Sequence, residues 1–321
     1  MNRERHQKIL ITGGNGYVGR ELTRLLYDTY EVGVLDNLRY SKLRFDQHEL
    51  SRFVFFETDI RDAREVARVM AEFRPERIIH LAAIHFIPEC ERLVDEAIGI
   101  NTLGTANLLK HAAEGVRFVL ASTAAVYAAE DVPHREASSP LGPMDVYGLA
   151  KLHAEQYAGY FARERNLDGR IVRLFNVVGP GETNPHVLPA IFAQVLKGAR
   201  TLRLGNCHPR RDYIHVRDVA DGFAAVALGG PVQQGVDIVN LGTGQTHSVY
   251  DVVEKLGELV GEPLHIEHDS ARMRASDRPF LAASIERICQ LYGWRPRLTL
   301  GDALRDLWNN PDIPPELLEK S

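Results

Sequence analysis

Tyr147 and Lys151 stand four residues apart in Asp145-Val146-Tyr147-Gly148-Leu149-Ala150-Lys151-Leu152-His153-Ala154-Glu155. This stretch reads as the first turns of a helix, and the spacing puts phenol and ammonium on one face. A free phenol has a pKa of about 10 and is a poor base near neutrality. A neighbouring cation favours the phenolate, and about 1.4 kcal/mol of such preference makes the phenol tenfold more acidic. Such a pair can take a proton from an alcohol or return one to a ketone. The same spacing also arises where an aromatic ring simply packs and a lysine is solvated. The pair therefore gains meaning only from what the rest of the chain supplies.

The start of the chain supplies a redox cofactor site. Lys8-Ile9-Leu10-Ile11-Thr12 reads as a buried parallel strand, and Arg20 to Tyr30 as an amphipathic helix. Between them lies Gly13-Gly14-Asn15-Gly16-Tyr17-Val18-Gly19, a glycine turn in the strand–turn–helix context that dinucleotide binding needs. Small residues let the backbone approach a pyrophosphate at a helix N-terminus, where free N–H groups favour negative charge. A second strand ends in Asp36, placed to accept from the adenosine ribose hydroxyls. That carboxylate repels a 2′-phosphate and favours NAD over NADP, although Arg39 stands close by.

Further strands are expected at Phe53–Phe56 and Arg77–Ala83, with a helix from Ala63 to Phe73 between them. Asp59 can reach an adenine or cap that helix, and Asp62 suits the cap alone. Leu81, Ala82 and Ala83 give a strand exit where a cofactor can pass close to the backbone. Strand–helix alternation of this kind predicts an α/β doubly wound (Rossmann) parallel sheet with its ligand at the carboxyl ends of the strands.

The totals exclude several alternatives. With 38 Lys and Arg against 43 Asp and Glu, the net charge is −5, so nothing points to nucleic acid or an anionic membrane surface. No apolar run is long enough to span a bilayer, and Met1 to Lys8 has no signal-peptide character. Cys90, Cys207 and Cys289 lack metal-ligand spacing and read as free thiols, so a cytoplasmic protein is expected.

Several motifs in order then identify a resemblance: Thr12–Gly19, Leu35-Asp36-Asn37-Leu38, Asp59-Ile60, Leu81-Ala82-Ala83, Ala121-Ser122-Thr123-Ala124-Ala125-Val126-Tyr127, the Tyr147/Lys151 pair, Arg173-Leu174-Phe175-Asn176, and Arg211-Asp212-Tyr213-Ile214-His215-Val216-Arg217-Asp218-Val219-Ala220. The chain resembles the extended short-chain dehydrogenase/reductase family, in its nucleotide-sugar epimerase/dehydratase branch, over nearly its whole length. The resemblance implies bound NAD, with Gly13, Gly16, Tyr17 and Val18 at the turn. It places Asp36, Asn37 and Ser41 on the adenosine ribose and its phosphate, Asp59 and Ile60 beside the adenine, and Leu81, Ala82, Ala83, Asn101 and Phe175 along the cofactor. Tyr147 becomes the acid/base, Lys151 its cation and ribose contact, and Thr123 the hydroxyl that holds the reacting sugar oxygen. The implied activity is epimerisation at carbon 4 of a nucleotide sugar, foremost a UDP-sugar, through a transient 4-keto sugar. The 4,6-dehydratases carry Asp-Glu where Ala124-Ala125 stand, so dehydration is not expected. A 4-ketoreductase or dehydrogenase would use the same three residues, and a non-catalytic dinucleotide sensor would need none of them.

By the same resemblance, 1–175 plus about 214–244 form the NAD domain, and about 176–213 plus 245–321 a smaller α/β substrate lobe. Substrate contacts are implied for His85, Thr123, Asn176, His186, Val187, Leu202, Leu204, Arg211, Arg274 and Leu281. Where His85 and His186 stand, similar epimerases commonly carry Lys and Asn. Leu281 replaces a Tyr that crowds the carbon-2 substituent, which implies room for an N-acetyl group. A homodimer is expected through a four-helix bundle using Val94–Ala113 and Tyr147–Arg163. His215 reads as a packed core histidine.

Overall fold

Parallel strands need long crossovers, and helices serving as crossovers cover both sheet faces, so the strands become almost wholly apolar. The computed structural model describes residues 7–182, 184–232, 235–272, 278–312 and 317–318. Its main sheet contains β1 (Lys8–Thr12), β2 (Glu31–Asp36), β3 (Phe53–Glu57), β4 (Arg77–His80), β5 (Arg117–Thr123), β6 (Asp168–Leu174) and β7 (Gly235–Leu241). The order is β3-β2-β1-β4-β5-β6-β7, and every neighbouring pair is parallel. The winding reverses between β1 and β4, which is where doubly wound sheets bind ligands. The Rossmann fold expected from the alternation is the fold observed.

The helices that bear on the site are α1 (Tyr17–Leu26), α2 (Ala63–Phe73), α3 (Thr105–His111), α4 (Val146–Glu164), α5 (Val187–Leu196) and α6 (Val216–Leu228). Side chains of β1 alternate between the sheet's two faces. Leu10 packs with Val66 and Val69 of α2 and Ala154 of α4, whereas Ile9 and Ile11 pack with Leu22 of α1 and Phe223 of α6. The inner face of α4 is small, with Gly148, Ala150, Ala154, Ala158 and Ala162 all buried, so this helix lies close to the sheet.

Strand β4 ends at His80 rather than Ala83, so Leu81–Ala83 leave the ladder and turn into the cleft. The helical stretch from Val94 is also not uniform. It is α-helical over Val94–Ile98, π-helical over Gly99–Gly104 and α-helical again in α3. Gly104 sits against Ile60, whose side chain would lie 2.5 Å from an added Cβ. A π turn in this place follows from tertiary contact, and such turns gather at functional sites.

After β6 the elements shorten. Three two-stranded pairs form: Asn176–Val178 with Tyr213–His215, Thr201–Leu204 with His265–His268, and Arg210–Arg211 with Phe280–Leu281. A separate apolar cluster joins α5 to the helices Val249–Val260 and Leu300–Asn309 through Leu188, Phe192, Val253 and Leu304.

Candidate active site

The carboxyl ends of the central strands open into a cleft of about 970 Å³. Gly13 begins its cofactor wall with φ +71°, and a Cβ there would lie 2.6 Å from the Ala82 nitrogen, so only glycine fits. Gly16 caps α1 without a side-chain bond, which leaves the first N–H groups free for an anion. Gly16, Tyr17 and Val18 all line the cleft. The Tyr17 hydroxyl donates to the Gly179 carbonyl at 2.9 Å, and Arg20 Nη2 to the Gly181 carbonyl at 2.9 Å.

Asp36 is fixed at the rim by the N–H groups of Asn15 (3.0 Å) and Leu38 (2.9 Å), although burial raises its pKa against these bonds. Arg39 is engaged elsewhere, paired with Glu89 at 3.0 Å and with Glu96. Asn37 donates to Asp59 at 3.0 Å, and the Ser41 hydroxyl accepts from Asn15 at 3.3 Å. Hydrogen bonds from Arg61 chiefly hold the Asp59 carboxyl down at about 2. Asp62 caps α2 through the N–H groups of Arg64 and Glu65. Ile60, Leu81, Ala82 and Ala83 line the cleft beside them.

Asn101 does not reach the cofactor wall. It is fully buried, accepts from the Ile84 N–H at 2.9 Å and donates to the Ile84 carbonyl at 2.8 Å. It holds the turn after β4 from within the π-helical segment. Sequence reading also passed over His80. Thr105 donates to the Asn101 carbonyl (2.8 Å), so its oxygen must accept from His80 Nε2 (2.8 Å). His80 Nδ1 then accepts from Thr12 (2.6 Å), and the ring is the neutral Nε2–H tautomer. Burial, reinforced by Lys151, keeps its pKa well below the ordinary value.

Thr123, Tyr147 and Lys151 line one side of the cleft together. Asp145 caps α4 by accepting from the Gly148 N–H at 2.7 Å, and Glu91 accepts from Val146 at 2.9 Å, which sets Tyr147 on the first turn. Thr123 Oγ1 accepts from the Ala125 N–H at 3.1 Å and also hydrogen-bonds the Tyr147 phenol. One hydroxyl thus both caps the turn after β5 and meets the phenol. Burial pushes the phenol well above its usual value, while the Thr123 bond pulls it down. Burial also lowers Lys151 to about 8, and its Nζ has no hydrogen-bond partner among the described residues. At the phenol, burial outweighs the Thr123 bond. The Ser122 hydroxyl goes to Glu155, which takes Arg173 through two bonds of 2.7 and 3.0 Å. This buried trio joins α4 to β5 and β6.

On the opposite wall the cleft meets Phe175, Asn176, His85, His186, Val187, Leu204, Arg211 and Leu281. Leu202 does not join them; it is fully buried in the cluster under α5. Arg274 lies outside the described residues. His186 stands at the N-cap position of α5 without a side-chain capping bond, and His215 is 2% exposed and accepts from the Arg217 N–H at 3.0 Å. Asp212 is a buried hub that accepts from Thr243, Gly244 and Ala283. Arg278, which motif reading missed, donates to the Ala125 carbonyl at 3.1 Å, and its Nη1 has no partner among the described residues. A buried guanidinium N–H left open is costly and marks a place for an acceptor.

These residues fit NAD. The glycine cradle would be filled by any Cβ, the Asp36 carboxylate lines the cleft beside it, and the buried Lys151 ammonium has no hydrogen-bond partner among the described residues. A family model described as the NAD-dependent epimerase/dehydratase family matches residues 9–242. This chain belongs to the NAD-dependent epimerase/dehydratase family. Its relatives in that family include the UDP-glucose 4-epimerase of Yersinia pestis, 31% identical with 94% of this chain and 96% of the relative covered. That of Corynebacterium glutamicum is 32% identical, with 94% of each covered. A solved structure of UDP-glucose 4-epimerase from Stenotrophomonas maltophila, with NAD and formylated UDP-arabinopyranose bound, superposes with a TM-score of 0.83 at 28% identity, covering 95% of this chain and 97% of that one.

Proposed function

We propose that the protein interconverts the carbon-4 epimers of a nucleotide sugar of the UDP-hexose type. The meeting of Thr123, Tyr147 and Lys151 at one side of a cleft with a dinucleotide cradle carries this reading. Family membership and the relatives above support it. Bound NAD supplies the hydride acceptor and donor and, when oxidised, a positive charge. Tyr147 takes the proton from the carbon-4 hydroxyl and later returns it to the same oxygen. Thr123 Oγ1 holds that oxygen in line, and the Lys151 ammonium steadies the phenolate. Arg211 and Arg278 suit a phosphate, which a guanidinium can grip through two bonds. With the phosphates held, the sugar can turn and offer its other face. Ala124 and Ala125 offer no carboxyl group for dehydration.

In this reading residues 1–175 and about 214–244 hold the cofactor and the remainder holds the substrate. Leu281 in place of a larger ring supports acceptance of N-acetylhexosamine nucleotides. The chain pairs through Val94–His111 and α4, whose Ile98, Leu103, Leu149, Tyr157 and Tyr160 are 45–53% exposed. The test is product analysis with UDP-glucose, UDP-galactose and their N-acetyl counterparts. Interconversion without net cofactor reduction is expected, and Tyr147→Phe should lower turnover by about 10²–10⁴-fold. Stoichiometric consumption of added NADH would instead mark a reductase.

A further inference from the structure

We propose that His85, Glu182 and His186 form a binding site for a divalent transition metal of the zinc class on the substrate wall of the cleft. One donor atom from each lies within 4.8 Å of the others. His85 Nε2 is 3.8 Å from Glu182 Oε1. The His85 and His186 rings are 5.9 Å apart and inclined by 28°, and Phe86 meets His186 edge-on at 5.2 Å. Donors around a tetrahedral zinc ion stand about 3.4 Å apart, as bonds of about 2.1 Å require. The three atoms therefore need to close by up to about 1.4 Å, within reach of side-chain rotation.

The chemistry of the set also fits. Two imidazoles and one carboxylate form a donor set that holds zinc and leaves a fourth position for water or a ligand oxygen. Glu182 is 9% exposed and accepts from the Asn184 N–H at 3.0 Å, an outer bond that orients a metal-binding carboxylate. The Asn184 amide also lies 3.2 Å from His85 Nε2 and turns aside as the ion enters. All three donors line the cleft, so a phosphate or sugar oxygen can complete the coordination. His85 follows β4, whereas Glu182 and His186 precede α5, so the ion would tie the segment after β4 to the segment before α5. The competing arrangement is two imidazoles sharing hydrogen bonds with one carboxylate and holding no ion.

The experiment uses the full chain without a polyhistidine tag and does not depend on turnover. Zinc sulfate is titrated calorimetrically, and cobalt chloride is followed by visible absorption. One ion per chain and the intense bands of four-coordinate cobalt are expected. His85→Ala, Glu182→Gln and His186→Ala should each weaken binding by more than about 100-fold, beyond the cost of losing an outer-shell partner. His153→Ala, at an exposed position on α4, should leave it unchanged. Circular dichroism and retained NAD establish that each variant is folded, and Glu182→Gln preserves volume where the alanine variants could fail to fold. Absence of binding, binding that survives in the folded variants, or a six-coordinate aqua-cobalt spectrum would overturn the proposal. None of these outcomes bears on epimerisation.

Discussion

Lys151 is buried in the cleft with an ammonium that has no hydrogen-bond partner among the described residues. Burial strips its ammonium of water and brings its pKa to about 8, against about 10.4 in an unfolded chain. Between those values the unfolded state binds more protons, so this group makes the folded state more stable as pH rises. In the cofactor-free protein, Lys151→Met should therefore be more stable than wild type by about 1–3 kcal/mol at pH 7. That advantage should shrink from pH 8 to pH 10 in denaturant titrations; a constant difference would show that the ammonium is not its source. Asp36 invites a second measurement. Asp36→Asn keeps the shape but removes the charge, and calorimetry should show NAD bound about 10–100-fold more weakly, the range lost with a charged hydrogen bond. NADP should gain little, because Arg39 remains held by Glu89 and Glu96. Tyr147, Lys151 and Thr123 could be picked out in the sequence because the proposed chemistry demands particular residue types, and all three line the cleft. Asn101 was not, because an amide bonds whatever backbone the fold brings to it, and here that is Ile84. The same limit hid Arg278, whose partner is the Ala125 carbonyl.

Secondary-structure elements turn those side chains into a site. Gly148 lets α4 begin against the turn that follows β5, since an added Cβ would lie 2.7 Å from the Ala125 carbonyl oxygen. Gly148→Ala should displace the first turn, cost about 1–3 kcal/mol in thermal unfolding and lower kcat through the misplaced phenol. Asn101→Ala should cost about 1–3 kcal/mol for each Ile84 group it leaves unbonded. It should also raise KM, because the turn after β4 slackens while Tyr147 stays in place. The strands and α2 could be read from apolar periodicity, which records burial directly. The π-helical segment Gly99–Gly104 could not, since its widened hydrogen bonding answers to Ile60 and Ile84, far away in sequence. Leu202 shows a related limit. It shares a strand face with Leu204, yet only Leu204 reaches the cleft, a distinction set by depth and not by alternation.

At the scale of the whole molecule, α4 has two unlike sides. Its small inner face lies on the sheet, and its outer face shows Leu149, Tyr157 and Tyr160 to solvent. Helical spacing places these three within one side of the helix. If a second copy covers them, sedimentation should give a dimer, and Tyr160→Glu with Leu103→Asp should give a monomer with weakened turnover, because the catalytic helix loses its outer support. A monomeric wild-type chain would remove that arrangement.

Tyr17 and Arg20 belong to the helix whose open N-terminus faces the cofactor, yet their polar ends are fastened to the carbonyls of Gly179 and Gly181. The helix cannot swing outward to release a dinucleotide without dragging the Gly179–Gly181 loop along. Departure of the coenzyme and undocking of that loop are thus a single event, and a catalyst that regenerates its own oxidant loses nothing by making that event rare.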